Sequence, residues 1–459
     1  MTHSARRRFL KSLACLGGAA ATTPLWMSGL ARALDAPAKT PRYFVFAYFS
    51  GAWDVLLSLD PRDPNVFTNA ASATTRIQPG YEQLDDVTND GSLVVAKNGA
   101  VFGPYIGRLA SHSDKLCVVR GMSMDTLTHE VGRRRFLTGR PPSGLLARGS
   151  SAATWLAAQL GQSEVVPNLA IRVESYNVDQ PNWASGLEVA RVPDLVRAFR
   201  KAEPALDPTV DALIDGLLAE RAACANAAGS PLWQAGESAR IKAAEMTSAG
   251  YDALFDFQAK TESMAALRQH YGIAATGATA LETPEAQAAA AATALTAGLS
   301  RVVSFQAAGG LDTHFDDWAT DQGPTQQRGF AAVAALAEDL ASREHPSGDG
   351  SSWLDHTTIV GFSEFSRTPL LNTRGGRDHH LGNSCFLLGG RVRPGIIGAS
   401  TDVGMLPRPI DLGTGAVNEA GGEIPKPEHV LMGLFREAGV EGDPADLRVE
   451  PLAAAFKAA

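Results

Sequence analysis

Residues 43–54 read YFVFAYFSGAWD: an unbroken apolar run, a small-residue turn at Ser50-Gly51, and then Asp54. The run does not alternate, so both of its faces are apolar. That is the pattern of a strand in a parallel sheet covered by helices on both sides. Two further stretches follow the same order. RVVSFQAAGGLDTH (301–314) and TTIVGFSEFSRTP (357–369) each pass from an apolar run to small residues, and then to a carboxylate or imidazole. Strands are expected over 43–49, 116–120, 169–173, 301–307, 357–362 and 385–388. Helices are expected over 152–160, 326–342 and 429–437. This alternation places the chain in the α/β class. Between about 192 and 299 the composition shifts to Ala, Glu, Gln and Leu with few strand signals, and a helix-rich insertion is expected there. The segment 399–427 is rich in Gly and Pro and reads as irregular surface chain.

The N-terminus begins with ARRRFLK. The pair Arg6-Arg7 followed by Phe9-Leu10-Lys11 matches a twin-arginine export signal. A weakly apolar stretch and the small-x-small sequence Ala31-Arg32-Ala33 come next. Residues 1–33 are therefore expected to be a removable signal, with the twin-arginine translocase as partner and a periplasmic or secreted destination. The remainder is long enough to bury a large core. No other stretch is apolar and long enough to span a bilayer. A formal net charge of −8 without basic blocks speaks against nucleic acid as a partner. Beyond the signal only Cys117, Cys224 and Cys385 remain, widely spaced, and they make neither a disulfide framework nor a Cys-rich metal motif.

Chemistry concentrates at the strand ends. Asp54 follows the first strand, where loop residues of a parallel sheet face the ligand crevice; the blander reading is a turn or helix cap. Asp312 and His314 form Asp-x-His behind Gly309-Gly310 and can present both groups to one ion. Glu364 directly follows the strand 357–362, with Arg367 three residues on to hold an anion or the Glu itself. Asp378-His379-His380 follows two glycines, and successive side chains diverge, so at most two of them face one site. His129 in THEVGRRRFLTGR opens an expected helix, and Arg133, one turn on, adds fixed positive charge suited to a phosphate or sulfate ester. Carboxylates and imidazoles together are the ligand set of a hydrolytic metal site.

In order, Gly-x-Trp-Asp, Gly-Gly-x-Asp-x-His, Ser-Glu-Phe-x-Arg-Thr-Pro and Gly-Gly-x-Asp-His resemble the recurrent strings of an exported bacterial family, domain of unknown function 1501. The resemblance spans about residues 40–440, with 441–459 as a C-terminal tail. That family is grouped with the alkaline phosphatase and sulfatase superfamily. The resemblance implies a three-layer α/β/α fold with a mostly parallel central sheet, and a site of one or two divalent ions. His129, Arg133 and Thr138-Gly139-Arg140 fall at the spacing of the sulfatase nucleophile motif. The nucleophile there is a Cys or Ser oxidised to formylglycine, and His129 cannot supply that chemistry. Ser363-Glu364-Phe365 also replaces the superfamily's Ser-Asp-His, losing one imidazole.

The expectation is therefore an exported, metal-dependent hydrolase of a small-molecule or polymeric anionic ester, a phosphate or a sulfate. Asp54, Asp312, His314, Glu364, Asp378 and His379 are the expected ligands of zinc, manganese, magnesium or calcium. His129 would be nucleophile, proton shuttle or further ligand, and Arg133 would hold the anion. The alternative is a non-catalytic exported binding or assembly protein that keeps the fold.

Overall fold

Eight strands make the central sheet of the computed structural model, which describes residues 41–457 apart from 142, 145, 202–205 and 444. The signal expected at 1–33 lies outside the described residues. In chain order the strands are β1 (Tyr43–Phe49), β2 (Leu116–Ser123), β3 (Asn168–Ile171), β4 (Leu187–Val189), β5 (Val302–Ala308), β6 (Thr357–Phe362), β7 (Gly382–Gly389) and β8 (Gly395–Ile397). They lie in the order β8-β2-β7-β6-β1-β5-β3-β4. Every neighbouring pair is parallel except those made by β7, which runs antiparallel to both β2 and β6. The class is α/β with a large, mostly parallel sheet.

The unalternated apolar runs are explained by cover on both faces. Val45, Ala47 and Phe49 of β1 face one core, shared with helices α7 (Pro284–Thr296) and α8 (Gly323–Ser342). Phe44, Phe46 and Tyr48 face the other, shared with α1 (His129–Thr138), α2 (Ala152–Leu160) and α9 (Pro427–Glu437). Between β4 and β5 the described chain is helical, including α3 (Val192–Phe199), α4 (Pro208–Ala223), α5 (Pro231–Ser248) and α6 (Glu262–Tyr271).

β1, β6 and α2 keep the limits read from the sequence; β2, β3, β5 and β7 differ, the first two for identifiable local reasons. β2 runs on to Ser123 because its pairing with β7 shifts register at Asn383/Ser384, and Gly121 takes up the extra residue at φ +68°. β3 stops at Ile171 because Arg172 turns into the left-handed region at φ 56°. Residues read as a C-terminal tail belong to the packed body: Leu447, Leu452, Ala454 and Phe456 are buried in the same core as α9, and Phe456 bridges to Val392. No helix among the described residues is long and apolar enough to cross a membrane.

Candidate metal centre

Parallel strands release their following loops at one edge of the sheet. The loops after β1, β2, β5 and β6 therefore emerge together. β7 runs the other way, so the residues that precede it reach that same edge. This brings His129, Asp312, His314, Glu364 and His379 together from four separate stretches of chain. The β1 loop contributes backbone: Gly51 N–H donates to Glu364 Oε1 at 2.8 Å. Gly51 sits at φ +104°, and a Cβ there would lie 2.6 Å from the backbone nitrogen of Leu311. Only glycine allows that approach.

Three imidazoles point Nε2 at one carboxylate oxygen. From Asp312 Oδ1 the distances are 3.2 Å to His129, 3.0 Å to His314 and 3.4 Å to His379. Nε2 of His314 and of His379 are 3.0 Å apart. Each ring is held through its other nitrogen. His129 Nδ1 meets Glu364 Oε1 at 2.7 Å, His314 Nδ1 meets Asp378 Oδ1 at 2.9 Å, and His379 Nδ1 meets the Leu127 carbonyl at 2.7 Å. Carbonyls and ionised carboxylates only accept, so each Nδ1 carries a proton and Nε2 is the atom that each ring turns into the cluster. Phe365 packs against His129 and His379, with ring centroids 4.8 and 4.4 Å away. Glu364 and Arg367 are buried, whereas the Asp312 side chain is half exposed, so the cluster opens to solvent on the Asp312 side.

Arg367 is the permanent cation of the site. It donates to Asp312 Oδ1 and to the Gly51 carbonyl, and its Nη1 lies 3.2 Å from His314 Nε2. Burial alone would raise the Asp312 pKa. The hydrogen bond and charge of Arg367, with His129 and His314, overcome it and hold Asp312 at about 2. Burial likewise opposes the proton on His129, but the hydrogen bond and charge of Glu364, then Asp312, raise its pKa above the ordinary imidazole value. Glu364 is lowered against burial, chiefly by His129. His379 is lowered by burial and by the nearby charges of Arg367 and His129. Asp378 is lowered by its hydrogen bond to His314.

The family described as "Protein of unknown function (DUF1501)" matches residues 45–409. The chain belongs to this family. No curated protein matches it. The matched span contains every residue of the cluster.

Two expected site residues stand apart from the cluster. Asp54 turns into the interior: its carboxylate meets Arg377 Nε at 3.0 Å and Trp318 Nε1 at 2.9 Å, and both charged side chains are fully buried. A buried Arg377 needs that carboxylate, which leaves none for an ion. Arg133 is gripped by Glu174, with Nε and Nη2 donating at 3.0 and 2.7 Å, so its guanidinium is engaged there, beside Arg134 on the same carboxylate. Glu364 and Asp378 reach the cluster through the histidines they orient. His380 turns away, its Nε2 meeting the Gly404 carbonyl at 3.0 Å. Arg367 holds Asp312, not Glu364 as one reading of the sequence had it. The Leu127 carbonyl carried no signal in the sequence, because any residue type provides one.

The donor set fits a metal. His129, Asp312 and His379 place one ligand atom each within 4.8 Å of one another. Nε2 of His129 is buried and makes no hydrogen bond of good geometry; Asp312 Oδ1 at 3.2 Å faces it. Tetrahedral Zn–N and Zn–O bonds of about 2.0–2.2 Å put neighbouring ligand atoms roughly 3.3–3.6 Å apart, close to the 3.0–3.4 Å between Asp312 Oδ1 and the three Nε2 atoms. Outer carboxylate and carbonyl partners on the far ring nitrogens are the usual companions of metal-ligating histidine.

Proposed function

We propose that His129, Asp312 and His379, with His314 as a fourth donor, hold a divalent ion, and that the protein is a metal-dependent hydrolase of phosphate or sulfate esters acting outside the cytoplasm. The observation that carries this reading is the convergence of three oriented Nε2 atoms on Asp312 Oδ1. Three imidazoles and one carboxylate favour zinc, with manganese next, over magnesium or calcium. The bound ion would polarise an ester oxygen and stabilise the charge that develops there.

The chain's own residues do the rest. Glu364, Asp378 and the Leu127 carbonyl fix the imidazole tautomers. His129 acts as a ligand: its Nδ1 is committed to Glu364, and its Nε2 faces Asp312 instead of an open approach. Phe365 shields one side of two of the rings from water. With neutral imidazoles, Asp312, Glu364 and Asp378 face Arg367 and Arg374, a net charge of −1. A divalent ion turns that to +1, which suits an anionic ester and not a cation. The resemblance to alkaline phosphatases and sulfatases supports the reaction class, and the twin-arginine sequence at residues 6–11 supports the location.

Elemental analysis of the exported protein, followed by turnover of a panel of phosphate and sulfate esters, tests this. Stoichiometric metal and chelator-sensitive turnover are expected. One observation favours the second reading, a non-catalytic binding or assembly protein. Arg367 already bonds Asp312 and approaches His314, so it can stand where a metal's charge would. Full occupancy by Arg367, with no metal and no ester turned over, selects that reading.

A further inference from the structure

Beside the cluster, on the far side of Asp378, lies a cavity of about 440 Å³. That volume lies within the range of small-molecule pockets, about 300–1,000 Å³. Pro369, Leu370, Leu371, Val403 and Leu406 make its apolar walls. Val403 and Leu406, on one loop, are each 55% exposed and present their apolar surface together at its rim. Thr368, Asn372 and Asp378 add polar groups to the lining, and the exposed Arg76 stands there with no ion-pair or hydrogen-bond partner for its guanidinium among the described residues.

The walls are held in place before anything binds. His380 Nε2 holds the Gly404 carbonyl at 3.0 Å, and Gly404 N–H donates to the Thr75 carbonyl at 2.8 Å. The loop bearing Val403 and Leu406 is thus tied both to the strand segment of His379 and to the residue before Arg76. His379 and His380 lie in a short extended segment paired with Ser366–Arg367. Successive side chains there point to opposite sides, so His379 faces the cluster and His380 the cavity wall. Asp378 belongs to both, orienting His314 on one side and lining the cavity on the other. A preformed pocket costs little ordering on binding.

We infer that this cavity binds a compact apolar body, aryl or branched alkyl, that carries a carboxylate or similar anionic group paired with Arg76. The apolar walls favour a hydrocarbon body over a sugar or polyol; of the two charged groups in the lining, Asp378 is already engaged by His314 and Arg374, which leaves Arg76 to take an anionic group. Only one further step rests on the ester-hydrolase reading. Because Asp378 joins the two sites, this ligand is the alcohol part of the ester whose phosphate or sulfate meets the cluster.

The test is calorimetric titration of the purified protein with 2-naphthoate, with uncharged 2-naphthylmethanol as control, before and after treatment with chelator. Saturable one-to-one binding of naphthoate is expected, with the alcohol weaker. Arg76→Ala should weaken naphthoate by on the order of tenfold, as for loss of a charge-assisted hydrogen bond, and leave the alcohol unchanged. Leu406→Glu, at an exposed position that does not threaten folding, should abolish binding of naphthoate. Metal content should be the same in all three proteins. No saturable binding, or equal affinity in wild type, Arg76→Ala and Leu406→Glu, overturns the proposal. Naphthoate binding without turnover of any ester would leave the pocket standing and remove the hydrolase reading. Turnover of esters without naphthoate binding would do the reverse.

Discussion

At the residue scale the cluster separates ligands from the groups that aim them. Replacing Asp312 with Ala removes the oxygen on which three rings converge, and metal content measured by elemental analysis should fall to background. His379→Ala should lower it as well. Glu364→Gln keeps shape and a hydrogen bond but removes the charge that orients His129. The expected result is metal bound at saturation with affinity about 10–100-fold weaker. Equal metal affinity in Glu364→Gln and wild type would show that Glu364 does not act through His129. Asp54→Ala belongs to a different class. It strands a buried Arg377, at a cost of about 3–5 kcal/mol, and should depress the unfolding midpoint while the surviving folded protein keeps its metal. Loss of metal at unchanged stability would return Asp54 to the ligands. The raised pKa of His129 sets a pH signature. In metal-free protein, the stabilisation from its proton is complete below the unfolded imidazole value, about 6.5, and is lost as pH rises through the higher folded value. Metal needs the neutral ring, so its contribution grows over the same window. Thermal unfolding between about pH 6 and pH 9 should therefore show opposite pH slopes for this term in chelator and in excess zinc. Parallel slopes would place His129 outside the site.

At the element scale, α1 carries His129 and is seated by a glycine. A Cβ on Gly132 would lie 2.4 Å from the Glu364 carbonyl oxygen, a backbone atom that cannot swing aside. In an exposed helix, Gly→Ala stabilises by about 1 kcal/mol. Here overpacking costs about 1–3 kcal/mol and wins, because α1 must lift away from the loop after β6. Gly132→Ala should therefore lower both stability and metal affinity, since lifting α1 draws His129 from Glu364. A rise in the unfolding midpoint with unchanged metal binding would mean that α1 is not seated on that loop. The antiparallel β7 has a comparable role. Were it parallel, His379 would precede it at the opposite edge, far from Asp312. One strand direction thus decides whether Asp378-His379 can join the other motifs.

At the scale of the whole molecule, two properties follow from the reading as an exported metalloprotein. Metal that binds the native state alone stabilises it by mass action, about 2.7 kcal/mol at a hundredfold excess over Kd. A chelator should accordingly lower the unfolding midpoint of wild type and leave Asp312→Ala where it is. Export through the twin-arginine route is the second. Changing Arg6 and Arg7 together to Lys should strand the protein in the cytoplasm, as read by fractionation, and undiminished export of that variant would remove the assignment.

The α/β class, the positions of the main strands and helices, and most of the cluster were legible in the residues themselves. Apolar runs without alternation record cover on both faces, and β1 and β6 end where their runs end. His129, Asp312, His314, Glu364, Asp378 and His379 were visible because ligand-type residues stood beside small residues at strand ends, a signal carried within a few positions. The tertiary structure decided which of these groups meet. His129 and Glu364 lie 235 residues apart, and their contact depends on strand order. Asp54 and Arg133 carry the same local signal as true cluster residues, yet Arg377 and Glu174, distant in sequence, claim them. A carboxylate or guanidinium goes to the strongest partner within reach, and reach is set by folding, not by spacing along the chain. The Leu127 carbonyl and the cavity beside Asp378 had no sequence signal at all, since one is backbone and the other is the space that separate loops leave between them.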